Sequence, residues 1–361
     1  MLDNSLWRCP LCRGDLNDRT ESLECSACHR AFEVVDGIPD FRLAMPSWID
    51  VVEDTNTARE LSIANLPLNE LVRAVYSRRV DDEAWVDRRT RQVLEGSERL
   101  RDDVRSWLAP VIAGGPFLDL GCGGGMLMAA AAGVHPGLQT VGIDVSMVWL
   151  VVAKRLVAEQ GGRPILAAAM AEALPLADES ISAVVSLDVI EHVADPDVYL
   201  KEINRVVEVG GRVALSTPNR FSLSAEPHVS VWGVGWLPQR FQRDYVRWRS
   251  GKPYESTVLM SSVGLAKKVR RNTLFKFRIL IPKIADPDIA HFRPVKGKVA
   301  RLFNRISQTG LLRPIFLAIG PFFRVTGAKI AAGAMSLVML LPDALGSDLE
   351  GISTCVLNAS T

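Results

Sequence analysis

The chain predicts an α/β fold: an open, largely parallel sheet holding a nucleotide-like ligand at its carboxyl edge, with a small cysteine-held ribbon in front. Three observations carry this. Two Cys-x2-Cys pairs, Cys9/Cys12 and Cys25/Cys28, are separated by 12 residues. An apolar run at 116–120 breaks into Gly121-Cys122-Gly123-Gly124-Gly125 and then into a helix-favouring stretch at 126–132. A second apolar run ends on Asp144, 23 residues after Gly121, where a nucleotide-binding βαβ unit sets an acid against a ribose diol.

Composition excludes several classes. With 361 residues, 48% hydrophobic and 23% charged, the chain is long enough for two or three domains and too apolar for disorder. Lys+Arg number 42 against 41 Asp+Glu, so the surface as a whole is no electrostatic partner for nucleic acid. Six cysteines are too few for a disulfide scaffold at this length. Residues 1–11 lack the apolar run of a secretory signal. The longest uncharged apolar stretch, 330–342, has 13 residues, where a membrane span needs about 20. A soluble, cytoplasmic protein is expected. The charge is unevenly spread, however. Residues 262–330 hold 15 Lys/Arg against two acids, Asp286 and Asp288, a net +13. Basic and apolar residues alternate there, the pattern of a solvated helix face or of a surface meeting phosphate, RNA or an anionic membrane.

In chain order the ribbon comes first. Each Cys-x2-Cys sets two thiolates on one tight knuckle, and two knuckles supply the four soft ligands of a tetrahedral zinc. With Cys9, Cys12, Cys25 and Cys28 filling every position, such a site is structural. His29 is an alternative fourth ligand, or a surface histidine. The segment CPLCRGDL…LECSACHRAFEVVDGIPDF resembles the Trm112-like zinc ribbons at the front of many bacterial methyltransferases, including their exit, VVDGIPDF at 34–41.

Residues 46–109 are charge-rich with apolar residues at helical spacing, as in Leu61, Leu68, Leu71, Val72 and Val75. This predicts two or three helices that lead into the sheet and cover its cleft. The glycine turn then lets backbone N–H groups approach a polar ligand. Asp119, two residues before Gly121, suits a ligand with an ammonium group; a dinucleotide-binding fold is the alternative. DLGCGGG followed by VGID resembles motifs I and II of the class I S-adenosylmethionine-dependent methyltransferases, whose sheet is Rossmann-like. The resemblance runs from 116 to 220, through AMAEALPLAD (169–178), a fourth strand at 183–188 and GGRVALSTPN (210–219) of the type-11 subgroup. It implies that Asp119, Gly121, Gly123, Gly125 and Asp144 bind S-adenosylmethionine, with Met170 and Ala171 beside adenine. The family usually has an acid where Met170 stands, so adenine is expected to rest on backbone contacts and apolar packing.

Strand four runs into DVIEHVADP. Asp188, Glu191 and His192 lie within five residues, at a strand end where side chains enter the ligand cleft. His228 follows strand five. Two acids and two histidines from neighbouring strand ends can bind Mg2+, Mn2+ or a similar ion. The spacing resembles the E-x-x-E-H element of ubiquinone-type O-methyltransferases and of small-RNA 2′-O-methyltransferases, in which a metal holds the acceptor hydroxyl; Asp188 stands where they have Glu. The alternative is metal-free, with His192 as general base and Asp188 beside it.

Residues 220–254 interleave Phe221, Trp232, Trp236, Phe241, Tyr245, Trp248 and Tyr254 with arginines, either a substrate-recognition cap that stacks on its acceptor or a helical cap with its own core. A helix and strand are expected within 256–280, and a last hairpin from 311–323 with 325–328. The expected organisation is a zinc ribbon at 1–45, a helical bridge or lid at 46–110, the S-adenosylmethionine-binding core at 111–220, cap, remaining strands and basic segment at 221–342, and a tail at 343–361. The resemblance implies methyl transfer from S-adenosylmethionine to a hydroxyl on a small molecule, glycan or lipid-linked acceptor, in the cytoplasm or peripheral to a membrane. An rRNA guanine-N methyltransferase, whose ribbon also begins C-P-L-C and places a histidine where His29 stands, is the runner-up. A non-catalytic protein-interaction module is the third reading.

Overall fold

A computed structural model describes residues 6–43, 49–113, 115–255, 257–284, 289, 294–307, 309 and 312–332. The tail expected at 343–361 and most of the apolar stretch at 330–342 lie outside these. The ribbon is a four-stranded antiparallel meander, β1 (Leu16–Asp18), β2 (Ser22–Cys25), β3 (Ala31–Val35) and β4 (Ile38–Pro39). Then come α1 (Val51–Ala64), α2 (Leu68–Ser77), α3 (Glu83–Leu94), α4 (Gly96–Arg105) and the short α5 (Ala109–Ile112). This corrects the two or three helices expected. Asp50 and Asp82 accept backbone N–H bonds at the starts of α1 and α3, and Glu95 alone separates α3 from α4. Breaks this short leave the charge pattern continuous, which hides them in the sequence.

The main sheet uses β5 (Phe117–Leu120), β6 (Thr140–Asp144), β7 (Ile165–Ala168), β8 (Ile181–Leu187), β9 (Val207–Pro218), β10 (Phe275–Leu280) and β11 (Phe322–Lys329), in the order β10-β11-β9-β8-β5-β6-β7. The strands from β7 to β9 are mutually parallel, and β11 enters antiparallel between β9 and β10. The parallel strands are nearly continuous apolar runs because helices cover both faces. These include α6 (Met126–Val134), α7 (Met147–Glu159), α8 (Pro196–Val206) and α10 (Ser262–Asn272). Strand order reverses at β5/β8, the place where open α/β sheets bind ligands.

The last hairpin differs from expectation. Arg313–Ile319 is a helix, and the strand is Phe322–Lys329, paired with β10. Pro314 fits the first turn of that helix, and Gly320-Pro321 ends it before the strand. We label Pro294–Ile306 α11 and Arg313–Ile319 α12. Among the described residues, no helix is long and apolar enough to cross a membrane.

The ribbon closes one edge of this sheet. Phe41 N donates to Ala168 O (2.7 Å) and Arg8 N to Pro175 O (3.0 Å). Trp7, Phe32 and Phe41 share one apolar cluster with Leu118, Val141 and Ala167. The contact pairs the free edge of β7, which would otherwise expose a row of unsatisfied backbone groups. On the opposite side of the cleft, α1 and α2 pack on α7 through Leu61, Leu71, Val72, Val75, Val148 and Val152. The cap comprises a short turn at Val234–Trp236 and α9 (Gln239–Ser250). It has a core of its own, Val229, Val231, Val234, Val246 and Tyr254. Trp232, Trp236, Phe241 and Trp248 are left exposed.

Candidate functional site

A cleft of about 750 Å³ opens at the carboxyl ends of β5, β6 and β8. Gly121, Gly123, Asp144, Met170, Ala171, Asp188 and His192 line it, facing Asp54, Val75, Arg78 and Arg79 from the lid helices. Gly123 is left-handed (φ 49°), and a Cβ there would project into open space, so the cradle is free for a ligand. Gly125 does a different job. It starts α6, and a Cβ there would fall 2.8 Å from the Ala153 Cβ; it packs helix on helix and does not line the cleft.

Asp144 organises the loop. Its carboxylate accepts from Gly123 N (2.8 Å) and from Ser146 N (2.9 Å), leaving lone pairs for a diol. Asp119 is buried, and its Oδ2 has no hydrogen-bond partner. Burial and the neighbouring Asp144 charge push its pKa up to about 8. A buried acid without a partner is costly, and it fits a cofactor that brings an ammonium. The resident group that these residues fit is therefore S-adenosylmethionine. Around Met170 the cleft is lined by Ala169, Ala171 and the acid Glu172.

Sequence reasoning missed the device that holds the cofactor loop. Asp54, from α1, accepts from Ser146 Oγ (2.7 Å) and Met147 N (2.7 Å), capping α7 from another helix, since Ser146 makes no capping bond itself. Arg42, at the ribbon exit, donates to Asp54 Oδ2 (2.7 Å), to Val145 O (3.1 Å) and to both oxygens of Asp40. Its side chain is 1% exposed. Ribbon, lid and cofactor loop thus meet at one buried arginine. Only the charges at 40, 42 and 54 hinted at this. Asp54→Ala strands Arg42 with one partner fewer in a dry site, which is expected to cost about 3–5 kcal/mol; urea unfolding beside wild type checks it.

On the acceptor side, ligand atoms of Glu191, His192 and His228 lie within 4.8 Å of one another. His192 Nε2 is 3.0 Å from His228 Nε2. The opposite ring nitrogen of His228 meets Glu226 Oε1 at 2.5 Å, and this carboxylate raises the His228 pKa. Glu191 is fully buried. Thr217 Oγ1 donates to its Oε2 (3.0 Å), while Oε1 makes no hydrogen bond and lies 4.0 Å from His228 Nε2. Burial, then the Asp188 charge, lift Glu191 to about 7. Asp188 does not join this group: its carboxylate accepts from Ser216 Oγ (2.8 Å) at a left-handed backbone position (φ 56°). The Asp188 expected as a metal ligand thus lies outside the cluster, with Ser216 Oγ on its carboxylate. Glu226, two residues before His228, was overlooked, although the E-P-H triplet was its signal. Two imidazole nitrogens and a carboxylate oxygen free of hydrogen bonds form a donor set that suits a divalent ion, with Glu226 orienting one ligand.

The four cysteine sulfurs also converge within 4.8 Å, with Cys9–Cys28 at 3.7 Å and Cys12–Cys25 at 3.4 Å. Sulfurs about 2.3 Å from a tetrahedral zinc lie about 3.8 Å apart. His29 stands outside the cluster, exposed and 3.7 Å from Glu24.

Residues 118–215 match the Methyltransferase domain family, and residues 8–37 match the Trm112p-like protein family. The chain is 37% identical over 126 residues to a ubiquinone biosynthesis O-methyltransferase of Parvibaculum lavamentivorans, covering 34% of this chain and 49% of the relative. It is 35% identical over 200 residues to one of Sinorhizobium medicae, covering 55% of this chain and 72% of the relative. This chain thus spans about half the length of the first relative. Among solved structures, a Haloferax volcanii methyltransferase complex with the Trm112 activator matches at 16% identity and TM-score 0.43, covering 65% of this chain and 94% of that one. By its sequence motifs, its strand order, the two family matches and the Sinorhizobium medicae relative, the chain belongs to the class I S-adenosylmethionine-dependent methyltransferases and carries a Trm112-like domain at its front.

Proposed function

We propose that this protein moves the methyl group of S-adenosylmethionine to a hydroxyl oxygen of a small-molecule, glycan or lipid-linked acceptor. One observation carries the reading: the Glu191–His192–His228 cluster sits beside the glycine cleft, at the ends of β8 and β9. Methyl transfer is an in-line displacement that needs positioning and a deprotonated acceptor. With its Nδ1 proton directed at Glu226, His228 presents the lone pair of Nε2. A proton taken from the acceptor by His192 then has a second imidazole 3.0 Å away and a carboxylate behind that. Asp119, Gly121, Gly123 and Asp144 hold the cofactor, and Ala169 to Ala171 pack against adenine. A divalent ion held by Glu191, His192 and His228 would lower the pKa of a hydroxyl brought to it. The all-cysteine ribbon, with His29 turned out to Glu24, supports this reading over the rRNA one.

The test is calorimetric titration of S-adenosylmethionine into protein stripped of divalent ions at the acceptor site, then with Mg2+ or Mn2+ added, beside His228→Ala. Cofactor binding with an additional metal heat that His228→Ala abolishes supports metal-assisted O-methylation. Binding without a metal effect returns His192 to unaided general-base duty. Absence of cofactor binding sinks the enzyme reading and favours the interaction module.

A further inference from the structure

The segment between β10 and β11 emerges at the acceptor end of the sheet. Leu280 pairs with Arg324, and Phe322 pairs with Pro218, the last residue of β9. Asn219, next in the chain, donates through Nδ2 to Ala318 O (2.9 Å) and Gly320 O (2.8 Å). Those bonds tie α12 to the loop that leads to His228. Phe316 of α12 meets Phe303 of α11 with ring centroids 5.3 Å apart, so α11 belongs to the same end.

The outward face of α11 is unusual for a helix facing water. Gly297 and Ala300 turn inward. Val295 (75% exposed), Val299 (61%) and Leu302 (55%) form an i, i+4, i+7 stripe on the outside. Lys298, Arg301 and Arg305 are exposed beside it, and the helix contains no acid. Three charges elsewhere in the basic segment are spent internally: Lys268 on Asp197, Arg324 on Asp103 and Lys329 on Glu179. Among the described residues, no acid pairs with Lys298, Arg301 or Arg305. Unneutralised cations beside exposed aliphatic side chains, on one helix face, are the signature of a helix lying in a membrane interface. Single-stranded RNA stacks its bases on aromatic rings, which this face lacks.

We propose that α11 docks on an anionic bilayer, with Val295, Val299 and Leu302 entering the headgroup region and Lys298, Arg301 and Arg305 meeting lipid phosphates. The acceptor end of the sheet is thereby held at the membrane surface. Docking stands apart from the identity of the acceptor, because its readout needs no methyl transfer.

Co-sedimentation of the full chain with vesicles tests it. Binding is expected to phosphatidylcholine vesicles containing phosphatidylglycerol and not to phosphatidylcholine alone, and to weaken with salt. The triple change Lys298→Gln, Arg301→Gln, Arg305→Gln should lower vesicle affinity by about 100-fold, and Val299→Asp with Leu302→Asp should abolish it. Both variants should titrate S-adenosylmethionine as wild type does, which shows their fold intact. Absence of binding to the anionic vesicles, or equal binding by the triple variant, overturns the proposal. So does single-stranded RNA captured by wild type and lost by the triple variant while vesicles stay unbound.

Discussion

Asp119→Asn is expected to weaken S-adenosylmethionine binding roughly 30- to 1000-fold while leaving the empty protein at least as stable as wild type. Removing one member of a buried charge pair costs about 2–4 kcal/mol, and that loss sets the range. The opposite sign for the empty protein follows from Asp119 Oδ2 having no partner, since an amide there need not be charged. The pH dependence separates this account from a general loss of fold. With its native pKa raised to about 8, Asp119 keeps its proton where the unfolded carboxyl, at about 3.9, has lost it. The native state therefore binds the extra proton between about pH 4 and 8, and this group's contribution to stability falls as pH rises through that window. Asp119→Asn should flatten that slope. An arriving ammonium selects the ionised carboxylate, so below about pH 8 cofactor binding should release a proton. The calorimetric enthalpy should then vary with the ionisation heat of the buffer. Equal affinity for the Asn variant, or an enthalpy indifferent to buffer, would defeat the assignment of Asp119 to the ammonium.

The contrast between Asp119 and Asp54 shows what a sequence discloses about such a site. Asp119 and Asp144 are legible because local geometry fixes them: Asp144 ends its strand and Asp119 stands one residue before the end of its own, with the glycine turn following within two residues or pairing with the next strand over. Gly121 and Gly123 share that local logic. The cysteine knuckles are legible for the same reason, since each pair is held by a three-bond turn of chain. Asp54 is not legible. Its partners Ser146 and Met147 are 92 and 93 residues away, and nothing in a charge-rich amphipathic helix marks one acid as buried. Arg42 hides likewise, because its contacts join three stretches that are distant in the chain. His192 and His228 were paired by analogy of spacing, and the structure brings them together; Glu226, which orients one of them, was readable from its place two residues upstream. Gly125 illustrates the reverse error. It stands in the same glycine run as Gly121 and Gly123, but helical packing against Ala153, not the ligand, demands it. A motif fixes residue types more firmly than it fixes their jobs.

Cys25→Ser is expected to damage the protein well beyond the ribbon. Zinc contributes roughly 10–16 kcal/mol to the folding of isolated zinc-finger peptides. Cys25 is fully buried in the cluster that holds Trp7 and Phe41 against the sheet. Without the metal the ribbon loses its internal support, and β7 regains an unpaired edge where Phe41 N met Ala168 O. The effect then reaches the cofactor through Arg42, which needs Asp40 at the ribbon exit to stay neutralised while it braces Asp54 and Val145. Three measurements should move together: bound zinc released to a chromogenic chelator, a thermal midpoint lowered by several degrees, and weaker S-adenosylmethionine binding. His29→Ala should change none of them, because His29 is exposed and outside the sulfur cluster. A Cys25→Ser protein that has lost its zinc and still binds cofactor at full affinity would show that the ribbon is merely attached to the fold. The buried path from Cys25 through Phe41 and Arg42 to the start of α7 argues instead that the ribbon braces the cofactor loop from outside the cleft, and that zinc occupancy is read there.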